Sequence, residues 1–469
     1  METKEKQSYP ITPSQPWRSF TDRYSTAFKV VVVGILTLLL LIPLTMVQSL
    51  IRERQSTKWD AVSDITSKWG GKQILAGPCL VLPYTETIIE DKKELVVERN
   101  LLLLPETLDA NATASVESRK RGIYDASVYS SEMTLSGLFD ATAIKKINVD
   151  ASRILWGKAQ VIIGLSDLKG IKEKVVFESN AQKIEFESGL GVENLATGNA
   201  IASVREYSLD SDGVFAVGLN AKLDSLQPDA LADNKLPFKI SIKVNGSQGW
   251  YIVPVGKTTS AHLKSDWATP SFDGSFLPEE REITKDGFTA NWQVLDLNRS
   301  FGQVIRADDD KAVNQMTASS FGVRFIQSVD QYQQNMRSAK YAILIILLTF
   351  VVVFFIELLK KKSANPFQYL LVGLALVLFY TLLLSMSEVW GFNLAYLAAA
   401  LMTTALITLH MSGILKDRKQ GLLIGALLAF LYVFIFILIQ MESYALLVGS
   451  LGLFAILAVI MYYSKKIKF

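Results

Sequence analysis

Two kinds of hydrophobic pattern divide this chain. From Phe28 to Ile51, and again from Tyr341 to Tyr463, apolar residues run in long blocks, while between them apolar and polar positions alternate. Blocks of about 20 apolar residues cross a hydrocarbon core of about 30 Å as helices, whereas alternation is the period of a half-buried strand. The chain reads as a helical membrane protein with a large mostly-β, sandwich-like domain inserted between its first and second spans.

The first span covers 28–51. A cleaved signal peptide is the competing reading, because Lys4, Lys6, Arg18, Arg23 and Lys29 precede or open it. The apolar run exceeds an h-region of about 7 to 15 residues, and Ile51-Arg52-Glu53-Arg54 follows where a small-residue cleavage site would stand, which favours an uncleaved signal anchor. Further spans are predicted over 341–359, 367–387, 392–411, 422–440 and 444–463, making six.

Basic residues mark cytoplasmic loops. Lys360-Lys361-Lys362, Lys416-Asp417-Arg418-Lys419 and the group Lys465, Lys466 and Lys468 follow alternate spans, while Glu388-Val389-Trp390-Gly391 and Met441-Glu442-Ser443 contain no Lys or Arg. Both termini are therefore expected in the cytoplasm, with 1–27 a disordered arm containing Pro10, Pro13 and Pro16, and 464–469 a basic tail. Residues 52–338 are expected on the other side.

In that domain Phe238, Ile240, Ile242 and Val244 share one strand face and Lys239, Ser241 and Lys243 the other. Asn245-Gly246 predicts a type I′ turn into Trp250-Tyr251-Ile252-Val253. A second hairpin is predicted from Arg281–Thr284 through Lys285-Asp286-Gly287 to Phe288–Val294, and others around 97–104, 127–139, 175–186 and 213–223, in a largely antiparallel arrangement. Trp59, Val62, Ile65 and Trp69 have helical spacing and extend span one outward, and a polar helix over 330–340 leads into span two.

Composition refines this picture. Of 469 residues 50% are hydrophobic, and the mean hydropathy is +0.26. The net charge of +3 hides a division: 52–338 carries 33 Lys and Arg against 38 Asp and Glu, so the basic excess lies in the membrane parts and implies no nucleic-acid partner. Cys79 is the single cysteine, so the domain has no internal disulfide, and at this size its core suffices without one.

Candidate chemistry is sparse. There are two histidines, His262 and His410, placed on opposite sides of the membrane by the span count, and no metal-ligand spacing or cofactor motif is present. The stretch SDWATPSFDG looks richest. His262 with Ser265 or Ser271 and Asp266 or Asp273 could supply a Ser-His-Asp set, but nearness in sequence is weak evidence for a triad, and no G-x-S-x-G elbow accompanies it. The favoured reading is structural: Pro270 holds Thr269 extended, Asp273-Gly274 turns the chain, and Trp267 and Phe272 enter the core. Glu279-Glu280 and Asp308-Asp309-Asp310 read as exposed loop acids. Gly189-Leu190-Gly191 lacks the third glycine of a nucleotide loop. In the spans, Gln48, Glu357 and His410 lie near the interfaces, within snorkelling reach, which argues against an ion relay. Gly373, Gly425, Gly449 and Gly452 read as packing residues.

Several runs carry a family resemblance. LLLLIPLTMVQSLIRER, LAGPCLVLPY, LPETL with ESRKRGIYDASVYSSEMTLSGLFD, SDWATPSFDGSFLPEEREIT with GFTANW, and FGVRFIQSVDQYQQNMRSAKYAILIILLTF followed by FFIELL and NPFQYLLVGLALVLFYTLLLSMSE resemble, in order and spacing, the CreD family of bacterial inner-membrane proteins. The resemblance implies an inner-membrane protein with a large periplasmic domain, tied to cell envelope integrity and stress and commonly controlled by a sensor-kinase and response-regulator pair. It implies no catalytic activity and transfers no site residue. The longer tail before span one departs from the family. The expectation is a non-enzymatic envelope protein that contacts the lipid bilayer and an unidentified periplasmic protein or envelope component. The alternatives are a transporter or lipid-handling pore, and a periplasmic hydrolase centred on His262.

Overall fold

The apolar blocks become helices and the alternating segments become strands, as their periods require. A computed structural model of the chain describes residues 18–90, 93–146, 149–180, 182–196, 213–223, 235–325, 331–360, 365–441 and 444–464. The expected arm before Arg18, the start of the polar helix at Asp330, Lys361-Lys362, Glu442-Ser443 and the tail from Lys465 lie outside the described residues. The chain divides into a helical unit, residues 1–57 with 329–469, and a β unit, residues 58–328.

The helices are α1 (Arg18–Trp69), α2 (Asp310–Ala318), α3 (Gln331–Lys340), α4 (Ala342–Lys360), α5 (Pro366–Trp390), α6 (Phe392–Leu415), α7 (Arg418–Gln440) and α8 (Ala445–Ser464). By length and composition α1, α3 with α4, α5, α6 and α7 can each cross a membrane; the apolar stretch described in α8, Ala445–Ala458, is shorter. Local chemistry sets the ends. Asn365 and Gln368 form a capping box with Pro366 in the first turn of α5, Gly391 takes φ +76° between α5 and α6, and Asp417 accepts from the Lys419 amide to cap α7. Connections this short make α5, α6 and α7 successive antiparallel neighbours. On α6, Phe392, Ala395, Tyr396, Ala399, Thr403 and Ile407 are buried, while Leu394, Leu397 and Leu401 are exposed on a face suited to lipid.

In the β unit the strands are β1 (Gln73–Glu90), β2 (Lys93–Leu103), β3 (Thr107–Arg121), β4 (Tyr124–Asp140), β5 (Gln160–Leu165), β6 (Val176–Ser179), β7 (Gln182–Glu185), β8 (Glu187–Ser188), β9 (Gly218–Lys222), β10 (Lys235–Ser247), β11 (Gly249–Ile252), β12 (Thr258–Ser265), β13 (Pro270–Gly274), β14 (Glu280–Thr284), β15 (Gly287–Leu295), β16 (Val304–Arg306) and β17 (Phe321–Phe325). One described sheet has the order β13-β17-β11-β1-β5-β9-β8, with β2 added to β1 and β16 to β2; the other runs β14-β15-β12-β3-β4-β10-β6-β7. Both sheets contribute to one core, in which Tyr129, Phe139, Phe177 and Ile240 meet Trp250, Ile252, Val161 and Phe321. Pairing is antiparallel except β1 with β11 and β3 with β12, which are parallel.

The alternation over Phe238–Val244 is realised as β10, and the β14–β15 hairpin turns at Gly287 as its sequence predicts. β6 and β7 form the hairpin expected near 175–186, and 97–104 falls on the return strand of the β1–β2 hairpin. Segments 127–139 and 213–223 each hold a single strand instead. The turn expected at Asn245-Gly246 is absent: β10 continues through both residues, opposite Ser130 and Tyr129 of β4. Gly246 serves a close approach, because a Cβ there would lie 2.4 Å from the Tyr129 ring. The chain turns at Gln248, φ +63°, and crosses to the other sheet as β11.

The predicted helical extension of span one is present, since α1 runs unbroken to Trp69. Its last turns belong to the β unit, where Val62 and Thr66 are buried. The Trp69 indole donates to the Tyr129 carbonyl at 3.1 Å, and the Arg119 guanidinium lies 3.6 Å from the Trp69 ring centroid.

Candidate functional site

SDWATPSFDG spans two sheets. Ser265 ends β12 in one, and Pro270–Gly274 forms β13 at the edge of the other, where proline is tolerated because one side of the strand is unpaired. Asp273-Gly274 is therefore not the predicted turn: Asp273 pairs across from Gly322, and only Gly274, φ +96°, departs from strand geometry. The core role of the aromatics holds. Phe272 meets Phe288 edge-on at 5.5 Å and Trp292 at 5.8 Å, and Trp267 packs against the same core.

The suspected triad residues are dispersed. His262 stands at an exposed position of β12 with its Nδ1 against the Asn291 side chain opposite, and Ser265, three residues on, points to the buried face. Asp266 accepts from Ser115 Oγ at 2.7 Å and from the Val116 amide at 2.8 Å. Ser271 and Asp273 belong to the other sheet. Cys79 is fully buried, and burial pushes its thiol up to about 12, which suppresses thiolate chemistry. Among the described residues, no group of three or more His, Cys, Asp or Glu is placed to hold a metal.

A polar cluster unforeseen in the sequence occupies one face of the nine-stranded sheet. Register places Asp273, Gly322 and Tyr251 side by side on β13, β17 and β11, and the two-residue period adds Ser271, Arg324 and Gly249 to that face. Gly249 leaves room for a ring, since a Cβ there would sit 2.6 Å from Tyr251 Cε2. Arg324 pairs with Asp273, the Tyr251 side chain lies against both, and Lys72 Nζ rests 4.6 Å from the Tyr251 ring centroid. Burial, with Asp273 second, raises the Tyr251 phenol above its usual range. Burial also lowers Lys72 to about 8; Asp273 resists this and Arg324 reinforces it. The arrangement offers two cations, one carboxylate and one phenol, with an ammonium that loses its charge in mildly alkaline water. Its members come from positions 72 to 324, so no local pattern could reveal them. The available signal was that Asp273 and Arg324 fall within SDWATPSFDG and FGVRF.

This cluster carries a pH prediction. The Lys72 value is near 8 folded and 10.5 when unperturbed, so between those limits the unfolded chain binds more protons and stability gains as pH rises; below pH 8 the buried charge is a steady cost. Lys72→Met is expected to stabilise the β unit at pH 7 by about 1–2 kcal/mol, after loss of the contact with Tyr251, and to flatten that rise. Urea unfolding of the full chain in detergent at pH 7 and pH 9.5 tests this, and a Met variant less stable at pH 7 would refute it.

A polar groove of ≈ 810 Å³ opens beside Val97–Asn100, Gly157-Lys158 and Gly191–Asn194. Its charges are largely paired already, Lys158 with Glu98 at 2.8 Å and Arg99 with Asp308 at 2.6 Å. In the helical unit Glu357 does not snorkel as expected: it is 4% exposed, beside Tyr369 of α5, because α4 turns this position inward. Gln48 donates to the Ala339 carbonyl at 3.5 Å, and His410 is half-buried.

Comparison with known proteins covers nearly the whole chain. Residues 25–469 match the family model described as inner membrane protein CreD. The chain is 32% identical over 434 residues to the inner membrane protein CreD of Escherichia coli (strain K12), covering 92% of this chain and 90% of that protein.

Proposed function

This chain belongs to the CreD family of inner membrane proteins, and from that premise we propose that it is a non-enzymatic protein maintaining the cell envelope. Its β domain, on the periplasmic side, contacts a protein or another envelope component, while the apolar helices anchor it with both termini in the cytoplasm. The observation that carries this reading is the dispersal of the reactive side chains: His262 faces Asn291, Asp266 holds β3, and Asp273 pairs with Arg324 in a different sheet. Such residues serve the fold and leave the domain surface for recognition.

The double substitution His262→Ala with Ser271→Ala is expected to leave an envelope-stress phenotype unchanged at equal protein level. Loss of protection would transfer the reading to a hydrolase. Cysteine placed at Lys239, on the exposed face of β10, is expected to react with an impermeant maleimide from outside spheroplasts; protection there would overturn the topology. A second reading, passage of a small solute through the helical unit, draws support from buried polar side chains at one end of that unit.

A further inference from the structure

α3 is built inside out. It is rich in polar residues, yet the face it packs against α5, α6 and α7 carries Tyr332, Asn335, Ser338 and Ala339, each no more than 1% exposed, while Gln333 and Lys340 face outward. Positions 332, 335 and 338–339 form one helical stripe, where a membrane bundle would ordinarily place apolar or very small side chains.

The opposing surface is polar too. Tyr332 Oη donates to Glu388 of α5 at 3.0 Å, and Asn335 Nδ2 donates to Ser387 Oγ and to the Gln331 carbonyl, each at 2.8 Å. At the rim Gln440 of α7 donates to Asn393 of α6 at 2.8 Å. Seven residues back along α5 from Ser387, or about 10 Å, stands Tyr380. Its phenol lies within electrostatic range of Tyr396 on α6 and Tyr432 on α7. Tyr396 Oη donates to the Tyr432 carbonyl at 2.8 Å. One turn further from α3, Leu376 and Leu428 are fully buried and close the far side with hydrocarbon.

Among the described residues, four buried polar atoms in this end of the unit have no hydrogen-bond partner: Asn335 Oδ1, Ser338 Oγ, Tyr380 Oη and Tyr432 Oη. Their residues are at most 2% exposed and come from three helices. Buried polar groups are nearly always satisfied, and one left unpaired is costly. Packing alone would favour alanine at 338 and phenylalanine at 380 and 432. Convergence of donors and acceptors at one end of a bundle, above an apolar floor, is what a hydrogen-bonding guest requires.

We propose that the α3 end of the helical unit encloses a hydrated vestibule that admits a small polar solute, with Asn335, Ser338 and Ser387 lining its wall and Tyr380 and Tyr432 at its deepest point, above the floor of Leu376 and Leu428. This goes beyond the envelope reading and stands on the helical unit alone. Dry polar contact between helices is the alternative, and thiol chemistry separates the two. In the full-length protein in membranes open on both faces, Ser338→Cys and Ser387→Cys are expected to react with a small charged methanethiosulfonate at least about tenfold faster than Leu397→Cys or Leu401→Cys on the exposed face of α6. Cys79 is buried and contributes no background. Rates no faster than those of the leucine positions would overturn the vestibule. Should the cysteine variants fail to insert, hydroxyl-radical footprinting of the unsubstituted chain decides. Tyr380 and Tyr432 are expected to oxidise several-fold faster than the equally buried Phe350 of α4, and equal rates would refute the proposal.

Discussion

Gly322→Ala is expected to abolish the native β unit while leaving the apolar helices able to insert. A Cβ at this position would lie 2.0 Å from the carbonyl oxygen of Trp250 and 2.8 Å from the Cα of Tyr251. Both are backbone atoms of β11, so no change of rotamer relieves the clash. β17 would have to move away from β11, yet it lies between β11 and β13, and Gly322 is opposite Tyr251 on one side and Asp273 on the other. Making room disrupts both ladders and the polar cluster together. The cost should exceed about 4 kcal/mol, beyond the range of ordinary point substitutions. Limited proteolysis of the full chain in detergent should cut within 58–328 under conditions where the parent resists. A variant as resistant as the parent, with a melting temperature within a few degrees of it, would refute the account.

The second large effect concerns Trp292. It is 2% exposed on β15, in the eight-stranded sheet. Its ring meets Phe272 of β13 at 5.8 Å and Phe321 of β17 at 5.5 Å, both from the other sheet, and Phe276 meets Phe321 at 6.0 Å. This aromatic group joins the two sheets next to SDWATPSFDG. Trp292→Ala is expected to cost about 3–5 kcal/mol, read as a lower urea midpoint by tryptophan fluorescence or circular dichroism. Trp292→Phe should lose clearly less, because among the described residues the indole N–H has no hydrogen-bond partner and phenyl removes that buried donor. His262→Ala, at an exposed position, should stay within about 0.5 kcal/mol. Equal destabilisation by His262→Ala and Trp292→Ala would mean that the stretch is not held by its aromatics.

How far the sequence could be read depended on whether a feature is local. Alternation over Phe238–Val244 named the buried face of β10 correctly, because period alone decides which residues face the core. The Asp286-Gly287 hairpin was legible for the same reason. Asn245-Gly246 was misread because glycine answers to two demands. The local signal says turn, but Gly246 is needed against the Tyr129 ring, and that neighbour arrives from more than 100 residues away. Asp273 was misassigned on similar grounds: Asp-Gly favours a turn until β17 supplies a ladder and Arg324 a charge. Lys72, Tyr251, Asp273 and Arg324 meet only through sheet order, which no window reports. α3 misleads in another way, since a polar decapeptide ordinarily faces water, and here Asn335 and Ser338 face in. Glu357 is the same lesson in one residue, a carboxylate near a helix end that proves to be buried.

The continuity of α1 has a consequence for how this protein tolerates change in length. From Leu44 to Trp69 the helix contains neither proline nor glycine, and the boundary between the helical and β units falls inside it, between Thr57 and Lys58. A loop linker absorbs an added residue as slack. A helix cannot: a residue inserted between Val62 and Thr66, within the β unit, turns one relative to the other by about 100° and shifts it by about 1.5 Å, which takes one of these two buried side chains off the core face. Exposed positions such as Ser67 and Lys68 can change side chain at little cost, but the number of residues from Val62 to Trp69 is fixed by the β unit's own packing, because Trp69 must still reach the Tyr129 carbonyl.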